Sequence, residues 1–235
     1  MQSIILAGGK GTRLRPYTSV LPKPLMPVGD YPILEIVLRQ LKADGVTHTT
    51  LTVGHLASLI ESYFGQGEKL GMDITYSRED HPLGTAGPLG LIEPPKEDFL
   101  VMNGDLLTTF PFGEFAEQHK QSGAMCTVGV YRKTVKMSLG VLDLEGDKIV
   151  GYREKPELVF PVSMGIYMFS PDVLQYIPKN QYLDLPDLIL KLIAEEAAVN
   201  TYIFEGIWLD IGRKTDYEEA TEVFEAHKSE FLRTT

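Results

Sequence analysis

The stretch Ser3-Ile4-Ile5-Leu6-Ala7-Gly8-Gly9-Lys10-Gly11-Thr12-Arg13-Leu14 decides the fold. Its apolar opening has the length of a buried strand, and a glycine-rich loop follows without a break. A strand that runs straight into such a loop predicts an α/β domain in which ligands gather at the carboxyl ends of the strands. Glycines let backbone N–H groups approach a polyphosphate closely and tolerate positive φ. The same loop also fits a plain strand-to-helix turn. It is not a dinucleotide fingerprint, because Leu14 stands where a third glycine or alanine belongs. It is not a Walker loop, because Lys10 is followed by Gly11 and not by Ser or Thr.

Working outward, strand and helix signals alternate. Residues 33–45, ILEIVLRQLKADG, have helical spacing and stop at Gly45; TTLTV (49–53) reads as a strand and HLASLIESYFG (55–65) as a helix. MDITYS (72–77) and FLVMN (99–103) read as strands, and FGEFAEQHKQSG (112–123) as a helix. This βαβαβ order predicts a parallel sheet with helices on both faces. Strands then dominate: AMCTVGVY (124–131), LGVLDL (139–144), KIVGYR (148–153) and SMGIYMFS (163–170), with a hairpin turn at Gly146-Asp147. DVLQYI (172–177) and LPDLILKLIAEE (185–196) read as helices, VNTYIF (199–204) as a strand, and residues 214–231 as one closing amphipathic helix. Pro94 and Pro95 fall between a helix and the next core strand. The expectation is one mixed sheet in a single domain over residues 1–235, with 1–110 and 111–235 as its two halves.

The net charge of −10 argues against nucleic acid, whose binders present a basic face. Yet Lys10, Arg13, Arg15 and Lys23 precede the first acid, Asp30, and form a positive island suited to a small anion. No apolar run approaches the roughly 20 residues of a membrane span, and the N-terminus lacks the order of a secretory signal. The single Cys126 reads as a buried small hydrophobe in a reducing, cytoplasmic setting. His48, His55, His81, His119 and His227 show no metal-ligand spacing and read as surface or loop residues, with His81 alone near the site. Trp208 reads as a core or platform aromatic. No hexapeptide repeat follows residue 200, so no β-helix is expected after the domain.

Gly8 to Leu14, followed by Pro16, Thr18, Lys23-Pro24-Leu25, Pro27-Val28 and Pro32, resembles the signature of the sugar-1-phosphate nucleotidylyltransferases. The likeness continues through Pro82-Leu83-Gly84-Thr85-Ala86-Gly87, Asn103-Gly104-Asp105, Glu154-Lys155-Pro156 and Trp208-Leu209-Asp210-Ile211-Gly212. It implies a Rossmann-like three-layer α/β/α sandwich around a mixed, mostly parallel sheet, the nucleotide-diphospho-sugar transferase fold. It implies that a nucleoside triphosphate and a sugar 1-phosphate are joined with release of pyrophosphate, in nucleotide-sugar synthesis of the kind that feeds surface polysaccharides. Oligomeric state is left open; a homo-oligomer is compatible.

By that resemblance, Leu6, Ala7, Gly8, Gly9, Gly11, Thr12 and Arg13, with Glu79, Pro82, Gly84, Thr85 and Asp105, bind the nucleotide. Arg13, Lys23, Asp105 and Lys155 carry catalysis. Gly140, Glu154, Lys155, Gly165 and Asp210 bind the sugar phosphate. Asp105 and Asp210, read as lying on neighbouring strand ends, hold Mg²⁺, which needs only one or two carboxylates and completes its shell with phosphate oxygens and water. Ser163 stands where relatives often have Asn, so the sugar is open at that point, with mannose 1-phosphate the first expectation and a heptose or glucosamine 1-phosphate as alternatives. Glu79 stands where thymidylyl and uridylyl relatives usually have Gln. A carboxylate only accepts, which suits the two adjacent donors on the edge of guanine and points to GTP. dTTP, UTP or CTP with a glucose-type phosphate is the alternative. A non-catalytic nucleotide-sugar sensor would lose phosphate-loop or metal residues, and a glycosyltransferase would carry Asp-x-Asp in place of Gly104-Asp105-Leu106-Leu107.

Overall fold

The computed structural model describes residues 1–232; residues 233–235, the end of the expected domain, lie outside them. The strands are β1 (Gln2–Leu6), β2 (Pro27–Val28), β3 (Tyr31–Pro32), β4 (His48–Val53), β5 (Asp73–Arg78), β6 (Phe99–Asn103), β7 (Leu106–Thr108), β8 (Cys126–Lys136), β9 (Val141–Glu145), β10 (Lys148–Arg153), β11 (Glu157–Phe169), β12 (Val199–Phe204) and β13 (Trp208–Asp210). The helices are α1 (Ile33–Ala43), α2 (Ala57–Phe64), α3 (Phe112–Ser122), α4 (Leu185–Ala194), α5 (Lys214–Ala226) and α6 (Lys228–Phe231).

One seven-stranded sheet, ordered β12-β8-β11-β6-β1-β4-β5, draws strands from both halves of the chain. All run the same way except β11, which is antiparallel to β6 and β8. Alternation along β1 explains the layers. Ile5 points with Leu51, Val53 and Met102 into a core that takes in Leu34, Val37, Leu38 and Leu41 of α1, Ile60 of α2 and Phe115 of α3. Ile4 points the other way, with Phe99, Val101 and Cys126, against Leu188 and Leu192 of α4. A third cluster packs Phe224 of α5 and Phe231 on Leu14, Met26, Leu107 and Ile211, beneath the glycine-rich loop. The fold is the expected Rossmann-like α/β/α sandwich with a mixed, mostly parallel sheet.

Several local expectations are corrected. Residues 171–176 form a 3₁₀ turn, Pro171–Tyr176, in place of a helix. The closing helix breaks at His227, whose ψ of 27° leaves the α region, giving α5 and then α6. Pro94 and Pro95 follow a 3₁₀ turn, Gly87–Gly90, and not a helix. His119 is buried in α3, with its Nδ1 2.7 Å from Thr127 Oγ1. β8 and β11 extend well beyond the core as a paired arm, which the sequence motif alone did not mark because its outer residues are not hydrophobic in alternation. Among the described residues no helix is long and apolar enough to cross a membrane.

Candidate active site

The parallel strands end on a cleft of about 870 Å³. Its floor is the loop after β1. The Ala7 N–H donates to Thr52 O at 2.9 Å, and the Gly104 N–H donates to Leu6 O at 2.9 Å, so the loop leaves the sheet between the ends of β4 and β6. Gly11 lies at φ +57°, and a side chain there would stand 2.9 Å from Thr18 Cγ2. Thr18 Oγ1 donates to Gly11 O at 2.7 Å and fixes the turn. Gly9 has open space where a side chain would be, and faces the cleft.

The cations converge on the carboxylates. Lys23 is buried, and its ammonium is bonded to Asp105 Oδ2. The positive island of the sequence is therefore not all surface: one of its members points inward as a counter-ion. Asp105 Oδ1 is buried with no hydrogen-bond partner among the described residues. Asp210 comes from another direction. β12 ends at the sheet edge, and the chain returns across the fold to form β13, antiparallel to β7, with Asp210 opposite Leu106. The two aspartates thus meet through a two-stranded ribbon and not as neighbouring ends of the main sheet. Burial, then the negative charge of Asp105, push the Asp210 carboxyl above the usual range, while Lys23 and Arg13 pull it down. The guanidinium of Arg13 reaches the turn after Asp210, where a side chain on Gly212 would stand 3.4 Å from it. An orphaned carboxylate oxygen beside a second carboxylate is an oxygen-only donor set that suits a hard divalent cation. Among the described residues no group of three or more His, Cys, Asp or Glu side chains forms a fuller cage.

A wall of the cleft is the loop from Glu79 to Gly87. Glu79 Oε2 accepts from the Leu83 N–H at 2.9 Å. Burial raises the Glu79 carboxyl, against the Leu83 hydrogen bond and the nearby His81. Gly84 lies at φ +79°, and a side chain there would come 2.5 Å from Leu183 O. Thr85 turns away from the cleft chemistry: its hydroxyl donates to Asp184 Oδ1 at 3.2 Å and accepts from the Leu185 N–H at 2.7 Å. Its N–H also donates to Asp184 Oδ1, at 2.9 Å, so backbone and side chain together anchor the loop to the start of α4. Burial works to raise Asp184, but bonds from the Tyr182 hydroxyl and from Thr85 outweigh it and hold the carboxyl below its usual range.

The family model described as "Nucleotidyl transferase" matches residues 2–227. The chain belongs to the nucleotidyl transferase family. The sugar-1-phosphate nucleotidylyltransferase resemblance read from its motifs is borne out. It is 36% identical over 226 residues to the mannose-1-phosphate guanylyltransferase catalytic subunit beta of Danio rerio, covering 92% of this chain and 62% of that protein. It is also 36% identical over 243 residues to the UTP–glucose-1-phosphate uridylyltransferase of Synechocystis, covering 94% of this chain and 62% of that protein. The chain therefore spans less than two thirds of the curated relatives it matches. Among solved structures, a candidate glucose-1-phosphate thymidylyltransferase from Bacillus anthracis, in complex with a sucrose, superposes with a TM-score of 0.77 at 25% identity, covering 100% of this chain and 96% of that one.

In this nucleotidyl transferase chain the sequence motifs divide into two groups. Leu6, Ala7, Gly8, Gly9, Gly11, Thr12, Arg13, Lys23, Glu79, Pro82, Gly84, Thr85 and Asp105 all line the cleft. Gly140, Glu154, Lys155, Gly165 and Asp210 do not line it. Gly165 and Asp210 flank it. At φ +73°, Gly165 lets Asn103 pack close, since a side chain would stand 2.5 Å from Asn103 Nδ2. Trp208 donates from Nε1 to Met164 O at 3.1 Å and holds β13 against β11. Gly140, Glu154 and Lys155 belong to the projecting arm. A side chain at Gly140 would collide with the Tyr152 hydroxyl, which donates to Glu154 Oε2 at 2.8 Å. Lys155 takes φ +43° and stands 3.9 Å from Glu154, with 67% of its side chain exposed. Ser163 sits where the β8–β11 register shifts; its Oγ lies 2.9 Å from Tyr167 Oη and accepts from the Gly165 N–H at 3.3 Å.

Thr52, Gly54, His55 and Tyr182 also line the cleft and were not expected there. His81 is thus not the only histidine at the site. Gly54 and His55 follow β4 directly, so the rule that ligands meet strand carboxyl ends marks them in the sequence. Tyr182 arrives from the segment before α4, and no local signal marks it.

Proposed function

We propose that this chain moves a nucleoside monophosphate from a triphosphate to a sugar 1-phosphate, releasing pyrophosphate and forming a nucleotide sugar. The observation that carries the reading is that Arg13, Lys23 and Asp105 line one glycine-floored cleft, with Asp210 close enough to feel the charge of all three. An oxygen of the sugar phosphate attacks the α-phosphorus and forms the new P–O bond. The bond from the α-phosphorus to the bridging oxygen breaks in line, and the electron pair leaves with pyrophosphate. The attacking group is already an anion, so no general base and no covalent enzyme intermediate are needed. The protein supplies position and charge neutralisation. Arg13 holds the leaving pyrophosphate, Lys23 the phosphates at the reacting centre, and Lys155 the incoming sugar phosphate, with Glu154 accepting from sugar hydroxyls. The nucleotide lies on the residues of the loop after β1 and the loop from Glu79 to Thr85, and the backbone at Gly140 and Gly165 leaves room for the sugar. Asp105 and Asp210 would hold Mg²⁺, which when bound offsets negative charge on the α-phosphate. The orphaned Asp105 oxygen supports that assignment.

GTP is the favoured triphosphate. Glu79 lines the cleft, and a carboxylate accepts at about four lone-pair sites, so its bond to Leu83 leaves capacity for two guanine donors. Mannose 1-phosphate is the favoured acceptor, by likeness to the Danio rerio relative. One observation favours a second reading, UTP with glucose 1-phosphate: the Synechocystis uridylyltransferase is equally identical over a longer match. A reducing, cytoplasmic setting goes with either, supported by the single buried Cys126. The test is a grid of five nucleoside triphosphates against several sugar 1-phosphates, scored by pyrophosphate release with Mg²⁺ and with a chelator. Release should need both substrates and the metal, and be fastest with GTP. Binding of nucleotide sugar with no release from any pair would indicate a sensor and defeat the proposal.

A further inference from the structure

Tyr182 is the only Phe, Tyr or Trp among the described residues that line the cleft, and it has no part in the chemistry above. It is 63% exposed, yet it is held in place. The carbonyls on either side of it press on two glycines of the Glu79–Gly87 wall. A side chain at Gly87 would stand 2.6 Å from Gln181 O, and one at Gly84 2.5 Å from Leu183 O. The Leu183 N–H donates to Leu83 O at 2.9 Å, and Leu183 O accepts from the Ala86 N–H at 2.8 Å. The ring is anchored as well, because its hydroxyl donates to Asp184 Oδ2 at 2.6 Å. Asp184 stands at the N-cap of α4, where a carboxylate ordinarily accepts from an N–H of the first turn. It makes no such bond here. Its Oδ1 accepts from the N–H and the hydroxyl of Thr85, and Thr85 Oγ1 takes the Leu185 N–H in its place. The carboxylate is thus diverted from its own helix: one oxygen holds the wall and the other holds the ring of Tyr182.

We infer that Tyr182 is a platform on which the nucleobase of the triphosphate lies by its face, with Asp184 as the residue that positions it. This role rests on the proposed function and adds to it a nucleotide contact outside the glycine-rich loop. Two observations choose the base over the sugar as the occupant. Tyr182 is joined to Glu79 through a single residue: the Leu83 N–H donates to Glu79 Oε2, and Leu83 O accepts from the Leu183 N–H. The ring and the proposed reader of the base edge thus share one wall. The groups proposed for the sugar phosphate, Gly140, Glu154 and Lys155, lie on the arm and do not line this cleft. Every base has a π face, so stacking on a ring gives affinity without choosing among bases. Discrimination is left to Glu79, and grip is supplied by Tyr182.

Calorimetric titration of the whole chain with GTP, UTP and inorganic triphosphate tests it, with sugar phosphate left out so that no turnover intervenes. Tyr182→Leu should weaken GTP and UTP by the same factor, about 10–100-fold. Inorganic triphosphate has no base, and its affinity should not change. Tyr182→Phe keeps the ring and loses only the bond to Asp184, so it should recover most of the loss. The position is exposed, so melting of both variants should match the wild type. In turnover, the Tyr182→Leu defect should appear in KM for the nucleotide and not in KM for the sugar phosphate. Unchanged GTP and UTP affinity in Tyr182→Leu would overturn the platform alone, as would an equal loss for inorganic triphosphate or a defect confined to the sugar phosphate. A wild type that binds neither GTP nor UTP would defeat the proposed function together with the platform.

Discussion

The two ends of the proposed site are built by opposite means. The nucleotide end is tied into the fold by its own bonds: its floor is held to β4 and β6, Lys23 is buried against Asp105, and its wall is pinned through Thr85 to α4. The sugar end is an exposed arm, on which Lys155 and Glu154 stand mostly in water. Burial gives a charge large leverage and makes its loss costly, whereas an exposed charge contributes little to the fold and acts only on what binds beside it. The difference predicts that substitutions at the first end disturb chemistry and structure together, and that those at the second disturb binding alone.

The largest effect is expected at the buried pair. Lys23→Ala and Asp105→Ala should each lower kcat by about 10²–10³-fold or more, and each should also destabilise the fold by leaving its partner unpaired. Their double variant should lose much less than the product, because the two groups act as one unit. Turnover near wild type in either single variant, measured by pyrophosphate release, would remove that residue from the mechanism. On the arm, Lys155→Ala should raise KM for the sugar phosphate by about 10–100-fold, while stability stays within about 0.5 kcal/mol, as for other exposed sites. A matching rise in KM for the triphosphate would erase the contrast between the two ends.

Gly84→Ala probes the wall. The residue lies at φ +79° with Leu183 O beside it, so the substitution should cost about 1–3 kcal/mol in denaturant unfolding. A neutral result would mean that the wall is not rigidly pinned. The smallest effect concerns Glu79, whose carboxyl burial raises above its unfolded value. Such a group holds its proton more tightly when folded, so it favours the fold most below the unfolded pKa, and that advantage is lost as pH rises through the raised value. Glu79→Gln should flatten this decline in a melting series, since the amide oxygen still accepts from Leu83. The same variant should weaken any preference for GTP.

Much of this was legible in the sequence, for reasons that differ by element. The strand-loop opening at Ser3–Leu14 states both fold and site, because one short segment fixes a buried strand and the geometry at its end. Asp105 was legible for the same reason: it stands two residues after the end of β6. The pairing of Lys23 with Asp105 was not, because a burial contact across 82 positions leaves no local mark. Nor was the route of Asp210, which depends on the chain crossing from the sheet edge to β7. Thr85 lines the cleft, but nothing local in the sequence shows that its side chain is spent on Asp184, 99 positions away. Tyr182 was missed because an isolated tyrosine before a helix carries no periodic signal. The break at His227 was missed because the apolar pattern continues through it to Phe231.

A single cleft that brings two anions together, with no side chain taking the nucleotide in between, fixes the stereochemistry at phosphorus. The most direct measurement is the reaction of GTP made chiral by sulfur at the α-phosphorus, followed by analysis of configuration in the nucleotide-sugar product. One in-line displacement predicts inversion. Retention would require two displacements through a covalently held nucleotide, and would contradict the account.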